Sequence, residues 1–213
     1  VSRPAFDLSL YLVVGPADCR GRPLEQVVAA ALAGGVTLVQ LRDKTASEAE
    51  FLAFGRALLP LCRAAGVPLI VNDRLEAALA LGAEGLHLGQ DDSAAAEARA
   101  RLGPDRLLGV SAGSPAELAA VPQELVDYLG VGPVHATGSK ADAGAAIGPE
   151  GVAAVRALTD LPLVGIGGLT AARAPAVIRA GARGVAVVSA IAGAEDPEAA
   201  ARELRRAVDL SSS

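Results

Sequence analysis

Short apolar runs alternate with longer amphipathic stretches along almost the whole chain. The runs hold four to six residues, mostly Val, Leu and Ile, at 9–14, 37–41, 68–71, 85–88, 107–110, 126–131, 162–166 and 184–188. Apolar runs of this length, with little polar alternation, suit strands covered on both faces, as in a parallel sheet. Each is followed by an Ala-, Glu- and Arg-rich stretch of helical period, at 24–33, 47–65, 74–81, 94–102, 115–120, 149–158, 171–180 and 197–208. Pro or Ser near the helix starts, and Gly34, Gly66, Gly82, Gly103 and Gly181 past the ends, follow the usual capping asymmetry. A phrase of Gly followed by an apolar strand recurs in AGGVTLVQL, AAGVPLIV, LGAEGLHL and AGARGVAVV, which marks a repeated supersecondary unit.

Eight strand–helix units with no strand left over predict an α/β fold, a single-domain (β/α)8 TIM barrel over residues 1–213. Its core should run from about residue 9 to residue 208, ahead of a short flexible C-terminal tail. An open doubly wound sheet fits less well, because the first turn, GPADCRG, lacks the G-x-G-x-x-G phosphate fingerprint. Hydrophobic residues make up 52% of the chain but aromatics only 2%, with no Trp or Met. The core is therefore expected to be filled by Ala, Val, Leu and Ile.

A net charge of −5 argues against nucleic-acid partners and anionic membranes, which demand clustered cations, and leaves small molecules as the expected partners. Cys19 and Cys62 lack metal-ligand spacing and read as ordinary thiols, one in a loop and one in a helix. With no apolar run of about 18 residues and no secretory pattern in VSRPAFD, the expected location is cytoplasmic. A homo-oligomer is left open, since no helix carries an obvious surplus apolar face.

In such barrels the chemistry sits where strands run into the following loops. Those junctions carry Gln40-Leu41-Arg42-Asp43-Lys44, Asn72-Asp73-Arg74, Gly89-Gln90-Asp91-Asp92, Ser111, the segment from Gly132 to Lys140, Gly167-Gly168 and Ser189. The chain has 17 Arg but only two Lys and one Asn, yet Lys44, Lys140 and Asn72 all fall at junctions. Asp73 and Asp92 follow neighbouring strands, so their carboxylates can converge on one hard cation, Mg²⁺, completed by waters and substrate phosphate. Each also has a plain structural reading, Asp73 as N-cap of the helix near Arg74, and Asp91 or Asp92 as N-cap of the helix at Ala94. The nearby cations Arg42, Lys44 and Lys140 favour the ligand reading, because a diphosphate needs that much positive charge and a cap does not. Gly167-Gly168 and Val188-Ser189 match a recurrent barrel phosphate site, with a tight turn as the alternative for the glycine pair. His87 reads mainly as a core or lining residue, while His135 stands in a loop from which it can reach substrate. No Ser-His-Asp order, HExxH, CxxC or Walker sequence is present.

Taken together, GGVTLVQLRDK, VPLIVNDR, GLHLGQDD, LGVS, LGVGPVHATGSK, VGIGGLT and GVAVVSAI resemble the thiamine-phosphate synthase family, in the correct order from about Leu10 to Pro197. The resemblance implies a Mg²⁺-dependent transferase that joins 4-amino-5-hydroxymethyl-2-methylpyrimidine diphosphate to a hydroxyethylthiazole phosphate, giving thiamine phosphate and pyrophosphate. It implies that Gln40, Leu41, Arg42, Asp43, Lys44, Asn72, Ser111 and Lys140 bind the pyrimidine diphosphate, with Arg42, Lys44, Ser111 and Lys140 assisting catalysis. Thr137, Gly138, Ser139, Gly168, Val188 and Ser189 would take the thiazole phosphate, and Asp73 and Asp92 the metal. The sequence departs from the family pattern at three places: Asp43 replaces a Glu, His135-Ala136 replaces an aromatic-Pro pair, and Ser139 replaces a Thr.

Two rival readings remain. A thiazole tautomerase gains from His135 as a proton shuttle but has no use for Asp73, Asp92 and QLRDK. A non-catalytic barrel that holds a phosphate ligand would keep Gly167-Gly168 and need neither the carboxylates nor both lysines. The Ala- and Gly-rich loop 139–148 is the candidate lid.

Overall fold

Period-two alternation sends every second residue of a strand to the same face, and in this chain one set of faces meets at a common centre. The computed structural model describes residues 6–89, 95–138 and 144–211. Eight strands, β1 (Leu10–Val14), β2 (Leu38–Leu41), β3 (Leu69–Asn72), β4 (Gly85–Leu88), β5 (Leu107–Ser111), β6 (Tyr128–Val131), β7 (Leu163–Ile166) and β8 (Gly184–Val187), form a closed barrel in chain order. All pairings are parallel, including β8 with β1. The helices are α1 (Leu24–Ala33), α2 (Glu48–Ala64), α3 (Leu75–Leu81), α4 (Ala95–Leu102), α5 (Pro115–Ala120), α6 (Gly148–Arg156), α7 (Ala174–Arg179), α8 (Ser189–Ala192) and α9 (Pro197–Asp209).

The strands and helices coincide with the apolar runs and amphipathic stretches to within a few residues. Helix α2 begins after a capping box, in which Ser47 Oγ accepts from Glu50 N at 3.3 Å and Glu50 Oε2 accepts from Ser47 N at 2.9 Å. Helix α7 starts at Ala174, later than the expected 171, because Thr170 O takes the N–H groups of both Arg173 and Ala174 in a turn. The periodicity did not reveal the 3₁₀ turns at Pro16–Cys19 and Gln123–Leu125, or helix α8, all too short to build a period.

The outer layer, between sheet and helices, is mainly aliphatic as expected, with Phe51 the buried aromatic among the described residues there, while the barrel interior sets two tyrosines among its aliphatic side chains. Tyr11 and Tyr128, both fully buried, meet at its centre with ring centroids 6.0 Å apart at 73°, and the Phe6 ring lies 5.9 Å from Tyr128. Edge-to-face contacts of this kind add about 0.5–1.5 kcal/mol beyond area burial. Glycine makes the room: a Cβ on Gly109 would lie 2.2 Å from Tyr128 Cζ and 2.6 Å from His87 Nδ1. The two tyrosines thus close the barrel across its middle with mass that the overall composition gave no reason to expect.

At the opposite end from the strand C-termini, Arg99 of α4 donates to Leu125 O at 2.9 Å, Gly103 O at 2.9 Å, Arg106 O at 2.7 Å and Asp127 Oδ2 at 2.6 Å. The same Asp127 oxygen accepts from Leu108 N at 2.7 Å. One guanidinium therefore ties α4 to the loops that lead into β5 and β6.

Both cysteines are buried, and Cys19 closes a 3₁₀ turn where a plain loop was expected. Burial, reinforced by Asp18, pushes the Cys19 thiol up to about 11, and burial, reinforced by Glu84, pushes Cys62 up to about 12. Burial raises the Tyr11 and Tyr128 phenols as well. Unfolded thiols ionise near 9.0, so above that pH the unfolded chain sheds protons that the folded chain keeps. The stability from these groups is complete below about pH 9 and is lost as pH rises through the folded values. Neither thiol should react with a disulfide reagent in the native protein at pH 8, and the melting temperature should fall from pH 8 to pH 10.5. Fast native reaction of either thiol would contradict the burial.

Candidate active site

The C-terminal ends of the strands surround a cavity of about 630 Å³, within the range of about 300–1,000 Å³ usual for small-molecule sites. Arg42, Lys44, Asn72, Asp73, His87 and Ser111 line one wall, from β2 to β5. Thr137, Gly167, Gly168, Val188 and Ser189 line the other, from the ends of β6, β7 and β8.

Asp73 follows β3 with φ 59°, in the left-handed region. A non-glycine residue held there is costly and marks a constrained site. Its Oδ1 accepts from Gly89 N at 3.3 Å, across to the end of β4. Helix α3 has Arg74 as its N-cap with no side-chain cap bond, so Asp73 does not cap it. Arg74 holds the adjacent loop instead: its Nη2 donates to Asp43 O at 3.1 Å and Ala46 O at 2.6 Å, Nη1 pairs with Glu48 at 3.3 Å, and the guanidinium lies 4.5 Å from the Phe51 ring centre. That clamp fixes the segment presenting Arg42 and Lys44.

On the facing wall, Gly167 and Gly168 have φ 104° and 60°. They are more than a tight turn, because the loop after β6 lies directly on them. A Cβ on Gly168 would stand 2.7 Å from Ala136 O and 2.9 Å from His135 Cβ, and one on Gly167 would stand 2.7 Å from Pro133 Cα. Val134 N and His135 N donate to Ile166 O at 2.8 Å and Gly167 O at 3.0 Å. The first residues of α8 complete this wall, with Val188 as the N-cap.

The family model for thiamine monophosphate synthase matches residues 10–191. The chain belongs to the thiamine monophosphate synthase family. It is 60% identical over 203 residues to a thiamine-phosphate synthase of Xanthobacter autotrophicus, covering 95% of this chain and 96% of that one. It is 54% identical to the protein of the same name from Azorhizobium caulinodans, covering 97% of each. Among solved structures, a thiamine phosphate pyrophosphorylase from Pyrococcus furiosus superposes with a TM-score of 0.86 at 35% identity, covering 96% of each chain.

Within this thiamine monophosphate synthase family fold, the residues expected at the site divide into those that face the cavity and those that do not. Arg42, Lys44, Asn72, Asp73, Ser111, Thr137, Gly168, Val188 and Ser189 line it. Leu41 is fully buried in the layer between sheet and helices, so its side chain is turned away from the cavity. Asp43 uses Oδ1 to accept from Thr45 N, Thr45 Oγ and Ala46 N at 2.8–2.9 Å. Against the desolvation that would raise it, these bonds and the Arg74 charge hold its carboxyl below the usual carboxylate range. Its visible work is to shape the loop. Gln40 is buried and donates from Nε2 to the Tyr11 hydroxyl at 2.6 Å. Gly138 and His135 are not among the described residues that line the cavity. Asp91, Asp92, Ser139 and Lys140 lie outside the described residues, as does the 139–143 part of the proposed lid. The structure adds Glu117, a lining carboxylate that sequence reading passed over; its Oε2 accepts from Gly113 N.

Proposed function

We propose that this protein is a thiamine-phosphate synthase that joins 4-amino-5-hydroxymethyl-2-methylpyrimidine diphosphate to a hydroxyethylthiazole phosphate and releases pyrophosphate. The observation that carries this reading is a single cavity with two unlike walls, one bearing Arg42, Lys44, Ser111 and Asp73, the other largely backbone at Gly167, Gly168 and the start of α8. Family membership over residues 10–191 supports it.

In this reaction the bond between the pyrimidine methylene carbon and the diphosphate oxygen breaks, and its electron pair leaves with pyrophosphate. The thiazole nitrogen supplies the pair for the new carbon–nitrogen bond and ends as a ring cation. No proton is transferred, so no general base is required. Arg42, Lys44 and the Ser111 hydroxyl would hold the growing negative charge on the leaving group, which is the kind of preorganised stabilisation that dominates such reactions. Backbone N–H groups around Gly168 and Ser189, with the Thr137 hydroxyl, would hold the thiazole phosphate, and alignment across the cavity lowers the entropic cost of the joining step.

Asp73 suits a hard divalent cation, being an oxygen donor on the cavity wall whose Oδ1 accepts a long hydrogen bond from Gly89. With Asp92, it would hold Mg²⁺, which typically takes one or two carboxylates and completes its shell with water and substrate phosphate. Bound there, the ion would neutralise part of the diphosphate charge. We read the chain as a cytoplasmic enzyme with small-molecule partners; among the described residues no helix is long and apolar enough to cross a membrane.

Incubation of the full chain with both substrates and Mg²⁺ should yield thiamine phosphate and pyrophosphate in equal amounts, and chelation of the metal should stop both. Folded protein that forms neither product would overturn the proposal.

A further inference from the structure

A chain of hydrogen bonds crosses the barrel interior beneath the cavity. Gln40 Nε2 lies 2.6 Å from Tyr11 Oη, Tyr11 Oη 2.9 Å from Tyr128 Oη, Tyr128 Oη 3.1 Å from His87 Nδ1, and His87 Nε2 3.0 Å from Ser111 Oγ. Five residues from five strands take part. Gln40, Tyr11, Tyr128 and His87 are buried, and the chain reaches the cavity at its last two members, His87 and Ser111, which both line it.

We propose that this chain runs in one direction and makes Ser111 a hydrogen-bond donor to the diphosphate, with His87 and Tyr128 as positioning residues. Each link has few options. The Gln40 amide nitrogen can only donate, so Tyr11 oxygen accepts and its one hydrogen goes to Tyr128. Tyr128 then gives its hydrogen to His87 Nδ1. A neutral imidazole that accepts at Nδ1 carries its proton on Nε2, and Nε2–H donates to Ser111 Oγ. The serine hydrogen is then directed away from His87, toward the cavity.

The opposite direction requires the Gln40 amide to turn end over end. Ser111 would then spend its hydrogen on His87 and present only lone pairs to an incoming anion, which repels what the wall is built to hold. Burial raises both phenols well above neutrality, so each keeps the hydrogen that the chain needs. The path is also protected sterically: besides the Gly109 overlap, a Cβ on Gly130 would come within 3.2 Å of His87 Cε1. The proposal rests on the diphosphate reading of this wall, but the direction of the chain can be measured without substrate.

The protein has two histidines, so ¹⁵N-histidine NMR of the full chain gives two ring systems, assigned with a His135→Asn variant. His87 should be the neutral Nε2–H tautomer, and in Tyr128→Phe it should become a mixture of tautomers. An Nδ1–H tautomer in the wild type would overturn the proposal. In turnover, Tyr128→Phe should lower kcat about tenfold, the worth of one well-placed hydrogen bond, with KM for the pyrimidine diphosphate little changed. Added to Ser111→Ala it should lower kcat no further. An equal loss in both backgrounds would reveal a merely structural role and overturn it. The predicted tautomer in a protein that makes no thiamine phosphate would instead count against the functional reading.

Discussion

Asp73→Asn should reduce kcat/KM by about 10²–10³-fold, comparable to the loss of one group that stabilises a transition state, because the cation it would hold against the leaving pyrophosphate binds less well, while leaving the fold intact. The choice of Asn separates charge from conformation. Asp73 sits at φ 59°, where most residues pay about 1–2 kcal/mol but Asn enters readily. The amide oxygen can still accept from Gly89 N, a bond now 3.3 Å long. Asp73→Ala would mix lost charge with backbone strain and is the poorer probe. The signature expected for Asn is a melting temperature within about 1–2 °C of wild type together with a raised Mg²⁺ requirement. Near-normal turnover at unchanged Mg²⁺ would show that the Asp73 carboxylate holds no metal.

The largest loss of stability should come from the other end of the barrel. Arg99→Ala removes a guanidinium whose side chain is 12% exposed and takes its positive charge from beside Asp127, 1% exposed. Breaking such a pair on one side costs about 3–5 kcal/mol, and three backbone carbonyls lose a donor as well. For a chain of this length the melting temperature should drop by roughly 6–20 °C. Arg202→Ala breaks an exposed pair with Glu198 and should stay within about 0.5 kcal/mol of wild type. Equal melting temperatures for the two variants would refute the role given to Arg99.

The contrast between these residues explains what was legible in the sequence. The barrel could be read because eight apolar runs and their helices repeat one local pattern. Lys44 and Asn72 stood out because their residue types are scarce and their positions follow strands. Arg99 was invisible, one Arg among 17, since only the folded chain brings Leu125 and Asp127 to α4. Arg74 was noticed at its junction, but its grip on the loop at Asp43 and Ala46 spans about thirty residues of sequence and leaves no local trace. The line from Gln40 to Ser111 is harder still, because its members lie on five strands and only the barrel's closure and register make them neighbours. Leu41 and Asp43 show the reverse limit. Resemblance transferred a whole segment, whereas strand alternation turns Leu41 outward and the loop consumes the Asp43 carboxylate.

The tyrosine pair at the barrel centre has a consequence for traffic. Tyr11 and Tyr128, both fully buried, fill the barrel interior beneath the cavity, so both substrates and both products should pass at the strand C-terminal end. Pyrophosphate should then not drain away behind the incoming thiazole. On the proposed reading it should leave past the groups assigned to the diphosphate, and retained pyrophosphate should compete with the next pyrimidine diphosphate for that wall.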